Sequence, residues 1–237
     1  MASVERPPNH LLQALPVGEY EALRPYLRHL QMVRDSVLAE AGSALTQVCF
    51  PHGGAISVVV RLSEGQTVEA AMIGRDSVVG AFEALSGGIS SIDAIVLFPG
   101  TASIIDLDDF KTLAGQSAAL RSLLARHEQA LLAQVQQSAA CNTSHSVEAR
   151  LSRWLLRARD LHDGARLPLT QELLARMIGV QRNAISIVAH ALQQAGIISY
   201  SRGQIHITNM ELLRRMSCEC YEAVKMKHEQ VLGPQHR

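Results

Sequence analysis

Hydrophobic and polar positions follow two different periods along this chain. From residue 9 to 30 the apolar residues recur at helical spacing, interrupted by Pro16 and Pro25. From residue 33 to about 107 the pattern changes to short runs rich in β-branched residues, separated by glycine-containing turns. The runs that predict strands are 55–61, 67–73, 94–98 and 101–105. Closely spaced strands of this kind predict a compact antiparallel barrel or jelly roll.

A long segment without proline or glycine follows, from about Ser117 to Thr143. It contains a stripe that repeats about every 3.5 residues, formed by Leu120, Leu124, His127, Leu131, Val135, Ser138 and Asn142. This repeat predicts a helix that packs against its twin across a two-fold axis. A helix that lies on its own barrel is the alternative, and the polar members of the stripe leave it open.

Helical spacing returns from Val147 to Leu161, and Asp163-Gly164 ends that segment. We place the domain boundary just before it, near His145, where a signal would act by rotating the domains. The predicted division is a β domain over 1–115, a helix over 116–145 and a C-terminal domain over 146–237.

Residues 169–192 meet the packing requirements of a helix-turn-helix. Thr170 is a good N-cap, Ala175 is a small residue where two helix backbones approach, and Gly179 supplies the tight turn. Apolar residues stand at the required offsets, namely Leu174, Ile178, Val180, Ile185 and Val188. We therefore predict a helix-turn-helix rather than an ordinary helical hairpin.

A β-hairpin is predicted from Ile197 to Ile207, with its turn at Arg202-Gly203, and it makes the unit a winged helix-turn-helix. A closing helix is predicted from Met210 to about Val231. The candidate DNA-contacting side chains all lie on the motif or its wing: Thr170, Gln171, Arg182, Asn183, Ser186, His190 and Arg202.

Arg182 and Asn183 begin the second helix of the motif, where base contacts concentrate. Arginine pairs bidentately with guanine, and asparagine with adenine, in the major groove. For both residues, contact with the DNA backbone alone is the alternative. Thr170, Gln171 and Arg202 are predicted to hold phosphates.

The charge of the chain is unevenly distributed, although its formal net charge is zero. Residues 1–145 contain 9 Lys and Arg against 14 Asp and Glu, whereas residues 146–237 contain 13 against 8. An acidic front joined to a basic back indicates that only the back faces a polyanion, so double-stranded DNA is the predicted partner.

Four cysteines, Cys49, Cys141, Cys218 and Cys220, are too few and too scattered for a disulfide framework. Cys218-x-Cys220 offers half a metal site at best, so we predict structural cysteines, no metal and no catalytic residue. The N-terminus lacks the apolar region of a signal peptide, and no apolar run is long enough to span a bilayer. The expectation is a soluble, cytoplasmic protein that is not associated with a membrane.

With these features the chain resembles the CRP/FNR family of bacterial transcription regulators over nearly its whole length. The motifs that carry the resemblance are Ile73-Gly-Arg-Asp-Ser-Val-Val-Gly80, Val147-Glu-Ala-Arg-Leu-Ser-Arg-Trp-Leu155, and Leu169-Thr-Gln-Glu172 through Gly179-Val-Gln-Arg-Asn183. The resemblance implies an α+β fold, with a jelly-roll-like β-roll related to cyclic-nucleotide-binding domains, a long dimerisation helix and a C-terminal winged helix-turn-helix. It also implies a homodimer, not an enzyme, that binds a palindromic operator and recruits or blocks RNA polymerase.

The chain departs from the cyclic-nucleotide-binding members of that family. In those members a glutamate in a glycine-flanked turn holds the ribose and a following arginine neutralises the cyclic phosphate. Here the turn is Ser77-Val-Val-Gly80, with valine in place of the glutamate, and no Lys or Arg lies between Arg75 and Lys111. Because a buried phosphate without a cation is unfavourable, we predict that the roll does not bind cyclic AMP in the usual way.

Other effectors are left open, and no cofactor is predicted. The iron–sulfur branch of the family requires a cluster of cysteines near the N-terminus. The first 48 residues of this chain contain no cysteine. The alternative is a nucleotide- or haem-responsive regulator of the same fold with an unconventional effector site. Two further alternatives are a cupin-like enzyme and a protein–protein adaptor. Ile187 stands where well-known members carry a second arginine, so the operator sequence is not predicted.

Overall fold

A computed structural model describes residues 6–162, 164 and 166–232. Its contacts divide these residues into two compact units. The β-roll unit comprises residues 6–58, 73–131 and 228–232, and the helical unit comprises residues 59–72 and 132–227. The division between the two units therefore falls between residues 131 and 132, inside the long helix Ala118–Ser144. The boundary predicted from the sequence, near His145, lies at the end of that helix.

Seven strands form two sheets, and the strand residues outside 59–72 belong to the β-roll unit. Before the first strand the chain forms two short helices, α1 (His10–Ala14) and α2 (Val17–Leu23), and a 3₁₀ turn at Arg24–Tyr26. The strands are β1 (Arg28–Met32), β2 (Val37–Ala39), β3 (Gln47–Pro51), β4 (Ala55–Arg61), β5 (Thr67–Ile73), β6 (Asp93–Phe98) and β7 (Gly100–Asp106). They form one sheet in the order β1-β7-β3 and another in the order β2-β6-β4-β5. Helices α3 (Ala81–Ser86) and α4 (Leu107–Gln116) complete the unit.

The core of this unit contains Phe50, Phe98 and Phe110, which are fully buried. The rings of Phe50 and Phe110 lie 6.2 Å apart in a tilted arrangement. The chain also approaches itself closely at Gly100, where a Cβ atom would lie 2.2 Å from the carbonyl oxygen of Gly53. Only glycine fits at such a position, which explains the glycine of the Pro99-Gly100 turn.

The four predicted strands are confirmed as β4, β5, β6 and β7. The helical interpretation of residues 9–30 is wrong at its end, because residues 28–32 form β1 and pair in register with β7. Helices α3 and α4 were not predicted from the pattern. Helix α3 is short and lies between two strands, and α4 lies between β7 and the long helix that follows it.

The predicted long helix is confirmed as α5 (Ala118–Ser144), but its stripe is directed into its own chain. Leu120, Leu124, His127 and Ser138 are buried within the single chain. His127 Nε2 lies 2.6 Å from the hydroxyl oxygen of Ser77. These four members of the stripe are therefore used in intramolecular packing, which favours the alternative of a helix that lies on its own chain, while Leu131, Val135 and Asn142 are half-buried.

The helical unit contains α6 (Val147–Leu161), α7 (Gln171–Ile178), α8 (Arg182–Gln194), α9 (Met210–Met216) and the first residues of α10 (Cys220–Leu232). Three short strands, β8 (Arg166–Leu167), β9 (Ile198–Ser201) and β10 (Gln204–Ile207), form a sheet in the order β8-β10-β9. The closing helix predicted over 210–231 is interrupted, because Ser217 adopts an extended conformation between α9 and α10. Helix α6 ends as predicted, although Asp163 lies outside the described residues.

Buried polar contacts hold α6 in place. The Arg150 guanidinium donates a hydrogen bond to the carbonyl oxygen of Ile178, at the end of α7. Arg157 donates to the carbonyl oxygen of Met72 through Nε and a terminal nitrogen, at 3.2 and 3.0 Å. Gln134 Nε2 donates to the same oxygen at 3.0 Å.

Among the described residues, no helix has both the length and the hydrophobicity that crossing a membrane requires.

Candidate DNA-binding site

The first helix of the motif is defined at both ends by local interactions. The Thr170 hydroxyl oxygen accepts a hydrogen bond from the Leu173 amide at 3.1 Å, so Thr170 is the N-cap of α7, as predicted. At the other end Gly179 has a φ of +70°. A left-handed conformation of this kind favours glycine and reverses the chain within one residue. The helix-turn-helix geometry is thus set by residues close in sequence.

Apolar side chains join α7 to α8. Leu174, Ile178 and Ile185 are buried, and so is Ala175 at the position where a small residue is required. Val180 and Val188 are half-buried at the edge of this contact. Complete burial of one such aliphatic side chain contributes about 1.5–3 kcal/mol to the stability of the fold. The few buried side chains of this interface are therefore sufficient to hold α7 and α8 together at their crossing.

The start of α8 presents the strongest candidate base-reading residues. Arg182 and Asn183 are exposed in its first turn. The N-cap residue, Gln181, makes no side-chain capping hydrogen bond, and the first turn contains no acidic residue. The first amide groups of a helix have no partner within it and carry a partial positive charge. This end of α8 is therefore suited to approach DNA.

His190 and Ile187 extend the exposed face of α8. His190 lies eight residues beyond Arg182, which corresponds to about 12 Å along the helix axis. Ile187 is 72% exposed between them, unusually open for a large apolar side chain. Apolar groups in the major groove contact the methyl group of thymine. The sequence interpretation treated Ile187 only as a departure from the family pattern and did not assign it this role.

Ser186 has a partner inside the motif. Its hydroxyl donates a hydrogen bond to Gln171 Oε1 at 2.7 Å and lies 3.2 Å from the carbonyl oxygen of Arg182. Ser186 and Gln171 are both half-buried. The contact connects the first turn of α7 to α8, an arrangement that the sequence did not indicate because the partners are 15 residues apart.

The wing lies beside the start of α7. Its turn is formed by Arg202 and Gly203, which have positive φ values, and the Arg202 side chain is exposed. A Cβ atom at Gly203 would lie 3.6 Å from the Thr170 methyl group. Strand β8, which was not predicted, supports the hairpin by pairing Leu167 with Ile205. Thr170, Gln171 and the wing tip therefore belong to one surface.

The segment that carries the helix-turn-helix and the wing is basic. Between Arg166 and Thr208 the chain contains four arginines and one glutamate. The arginines are Arg166, Arg176, Arg182 and Arg202, and all four are exposed. Such an excess of positive charge favours a polyanion through phosphate contacts and counterion release.

Comparisons with known proteins agree with this geometry. Residues 149–216 match the family model of the Crp-like helix-turn-helix domain. A search of curated proteins by sequence returned no match.

Solved structures match most of the chain. FixK2 from Bradyrhizobium japonicum is 16% identical, with 81% of this chain and 98% of that chain covered and a TM-score of 0.68. A CRP-family transcriptional regulator from Thermus thermophilus is 18% identical, with 79% and 96% covered and a TM-score of 0.67. The c-di-GMP responsive global regulator CLP of Xanthomonas campestris is 15% identical, with 81% and 99% covered and a TM-score of 0.63. At these identities the similarity establishes the fold: a β-roll, a long helix and a winged helix-turn-helix.

Proposed function

Because residues 149–216 form a Crp-like helix-turn-helix domain in a chain with the fold of CRP/FNR transcription regulators, we propose that this protein is a sequence-specific DNA-binding regulator of transcription. The observation that supports the proposal is the exposed Arg182-Asn183 pair at the start of α8. In this role α8 enters the major groove of double-stranded DNA. A transcription regulator acts where the chromosomal DNA is located, so the proposal places the protein in the cytoplasm. The proposal assigns it no catalytic activity.

Each candidate residue has a role in this proposal. Arg182 pairs with a guanine and Asn183 with an adenine, and His190 extends the contact along the groove. Thr170, Gln171 and Arg202 hold phosphates on either side, which sets the register of the protein on the duplex. Ser186 acts through its hydrogen bond to Gln171.

We further propose that the protein is a homodimer that contacts its twin through the exposed side of α5. Eight exposed, uncharged residues recur there at alternating intervals of four and three: Ala118, Ser122, Ala125, Gln129, Leu132, Gln136, Ala139 and Thr143. This is the heptad spacing of paired helices, and its small residues permit close approach of the two backbones. Leu132, 56% exposed, is its large apolar member.

A two-fold axis along α5 would present two recognition helices to successive turns of the duplex. The proposed operator is therefore a palindrome whose half-sites lie about 34 Å apart. A dimer bound to such a site recruits or excludes RNA polymerase, which makes the polymerase the second proposed partner.

The β-roll is proposed to act without cyclic AMP. In addition to lacking a cation between Arg75 and Lys111, that segment contains three buried acidic residues, Asp76, Glu83 and Asp93. Their carboxylates would disfavour the negatively charged cyclic phosphate. Calorimetry with cyclic AMP, cyclic GMP and cyclic di-GMP tests this, and binding of cyclic AMP at micromolar affinity would contradict it.

The experiment that tests the function is selection of bound fragments from the organism's own genomic DNA, followed by affinity measurements at several salt concentrations. We expect a recurrent palindromic site that is bound about 10³-fold or more tightly than random DNA. Failure to enrich any site, together with an affinity that does not change with salt, would favour a protein–protein adaptor instead.

A further inference from the structure

Three buried cysteines and one histidine meet at the junction between α5 and α6. We name this group the Cys-His cluster; it consists of Cys141, His145, Cys218 and Cys220. Cys141 is in the last turn of α5 and His145 follows that helix, whereas Cys218 and Cys220 lie where α9 gives way to α10. All four belong to the helical unit.

The four potential ligand atoms are close enough to surround one metal ion. They all lie within 4.8 Å of one another. Cys141 Sγ is 3.5 Å from Cys218 Sγ, and Cys220 Sγ is 3.6 Å from His145 Nδ1. In a tetrahedral zinc site with Zn–S bonds of about 2.3 Å, neighbouring sulfurs are about 3.8 Å apart. An iron–sulfur cluster would require wider separations, because its ligands surround several metal and sulfide atoms.

The surroundings of the cluster also fit a metal centre. His145 directs Nδ1 towards the thiols while Nε2 lies 3.2 Å from a carboxylate oxygen of Glu219. Histidine ligands of metals are held in this manner, with the second ring nitrogen bound to a carboxylate. Gln137 Nε2 donates to Cys220 Sγ at 3.1 Å, a contact that stabilises negative charge on the sulfur.

The charge balance supports the same conclusion. Three thiolates, a neutral histidine and Zn²⁺ carry a net charge of −1, and the positive charges of Arg150 and Arg153 act on Cys141. The thiolate is the form of cysteine that binds metals.

We propose that Cys141, His145, Cys218 and Cys220 bind a single Zn²⁺ in a tetrahedral Cys₃His site. The ion would link the end of α5 to the connection between α9 and α10, and so stabilise the junction where His145 separates α5 from α6. The sequence interpretation expected no metal site because it considered Cys218-x-Cys220 alone. The Cys141-x₃-His145 spacing, one helical turn, is the signal it did not use.

The competing explanation is that these cysteines are packing residues, since buried free thiols behave as small hydrophobic side chains. Cys49 provides the matched control: it is also buried and free, but it lies on β3 outside the cluster. Its pKa is raised to about 12 by burial. A substitution there tests the loss of a buried thiol without touching the proposed site.

The test is metal binding by the full-length protein, prepared under reducing conditions, stripped with a chelator and titrated with Zn²⁺ and with Co²⁺. We expect one Zn²⁺ per chain, and Co²⁺ should give the visible bands of tetrahedral coordination and a thiolate charge-transfer band of three-sulfur intensity. Binding should be lost in C141S, C218S, C220S and H145A and retained in C49A and H29A. Glu219→Gln should weaken Zn²⁺ binding about 10- to 100-fold.

The Co²⁺ spectrum of the unmodified protein keeps the test decisive even if a cluster variant fails to fold. The proposal is overturned if the protein binds no Zn²⁺ at one per chain, if C49A lowers binding as much as the cluster variants do, or if the isolated protein carries iron and sulfide. Because the readout is metal binding, its outcome is independent of whether the protein binds DNA.

Discussion

The indole Nε1 of Trp154 donates a hydrogen bond of 2.7 Å to a carboxylate oxygen of Glu69. Trp154, on α6, is 2% exposed and Glu69, on β5, is 9% exposed. Both belong to the helical unit, in which residues 59–72 pack with the DNA-binding helices. The contact shows that the helix preceding the helix-turn-helix is held by polar bonds from a strand 85 residues earlier in the chain.

Replacing Trp154 with Phe should lower the free energy of unfolding by about 1.5–3 kcal/mol, because a charged, buried acceptor loses one of its donors. Circular dichroism during urea unfolding measures this, since Trp154 is the sole tryptophan and its fluorescence disappears in the variant. Glu69→Ala and the double variant complete a double-mutant cycle. Strictly additive losses would mean that the hydrogen bond contributes nothing to stability.

Arg182→Ala should weaken operator binding by about 1–3 kcal/mol and relax the preference at one base pair. The reason is the loss of a bidentate contact to guanine, which random DNA does not offer in register. Fluorescence anisotropy with operator and random duplexes measures both affinities. Arg24→Ala, an exposed arginine of the β-roll unit, is the control and should leave both affinities unchanged. Equal losses on the two duplexes for Arg182→Ala would leave that residue with a phosphate contact alone.

Ser186→Ala should lower stability by about 0.5–1.5 kcal/mol, since the Gln171 side chain loses the hydroxyl donor that connects α7 to α8. Thermal unfolding and operator affinity should be measured together, with Ser201→Ala on the wing as a serine control. If Ser186 instead contacts a base directly, operator affinity will fall while stability stays at the level of the unmodified protein.

Leu132→Glu should convert the proposed dimer into a monomer, because two buried carboxylates would face each other across the two-fold axis. Light scattering coupled to size-exclusion chromatography gives the mass in solution. Leu85→Glu, at a partly exposed leucine on α3, introduces the same charge outside α5 and should remain dimeric. A dimeric Leu132→Glu variant would assign the interface to another surface.

The sequence was sufficient wherever the determining interactions are local. Thr170 caps a helix through the amide of a residue three positions away, and Gly179 reverses the chain by its own conformation. The runs 55–61 and 67–73, rich in β-branched and apolar residues and bounded by turn residues, likewise predict β4 and β5. These short-range rules placed the helix-turn-helix and strands β4 to β7.

Contacts between distant residues were decided only by the tertiary structure. The stripe on α5 was correctly predicted to be a helix face, but its burial against its own chain depends on partners such as Ser77, 50 residues away. Residues 28–32 form a strand because β7 offers them an edge, not because their own pattern requires it. Cys141 and Cys218 are 77 residues apart and their sulfurs are 3.5 Å apart. Periodicity assigns a residue to a face of its own element, whereas the residue that meets that face is set by how the whole chain packs.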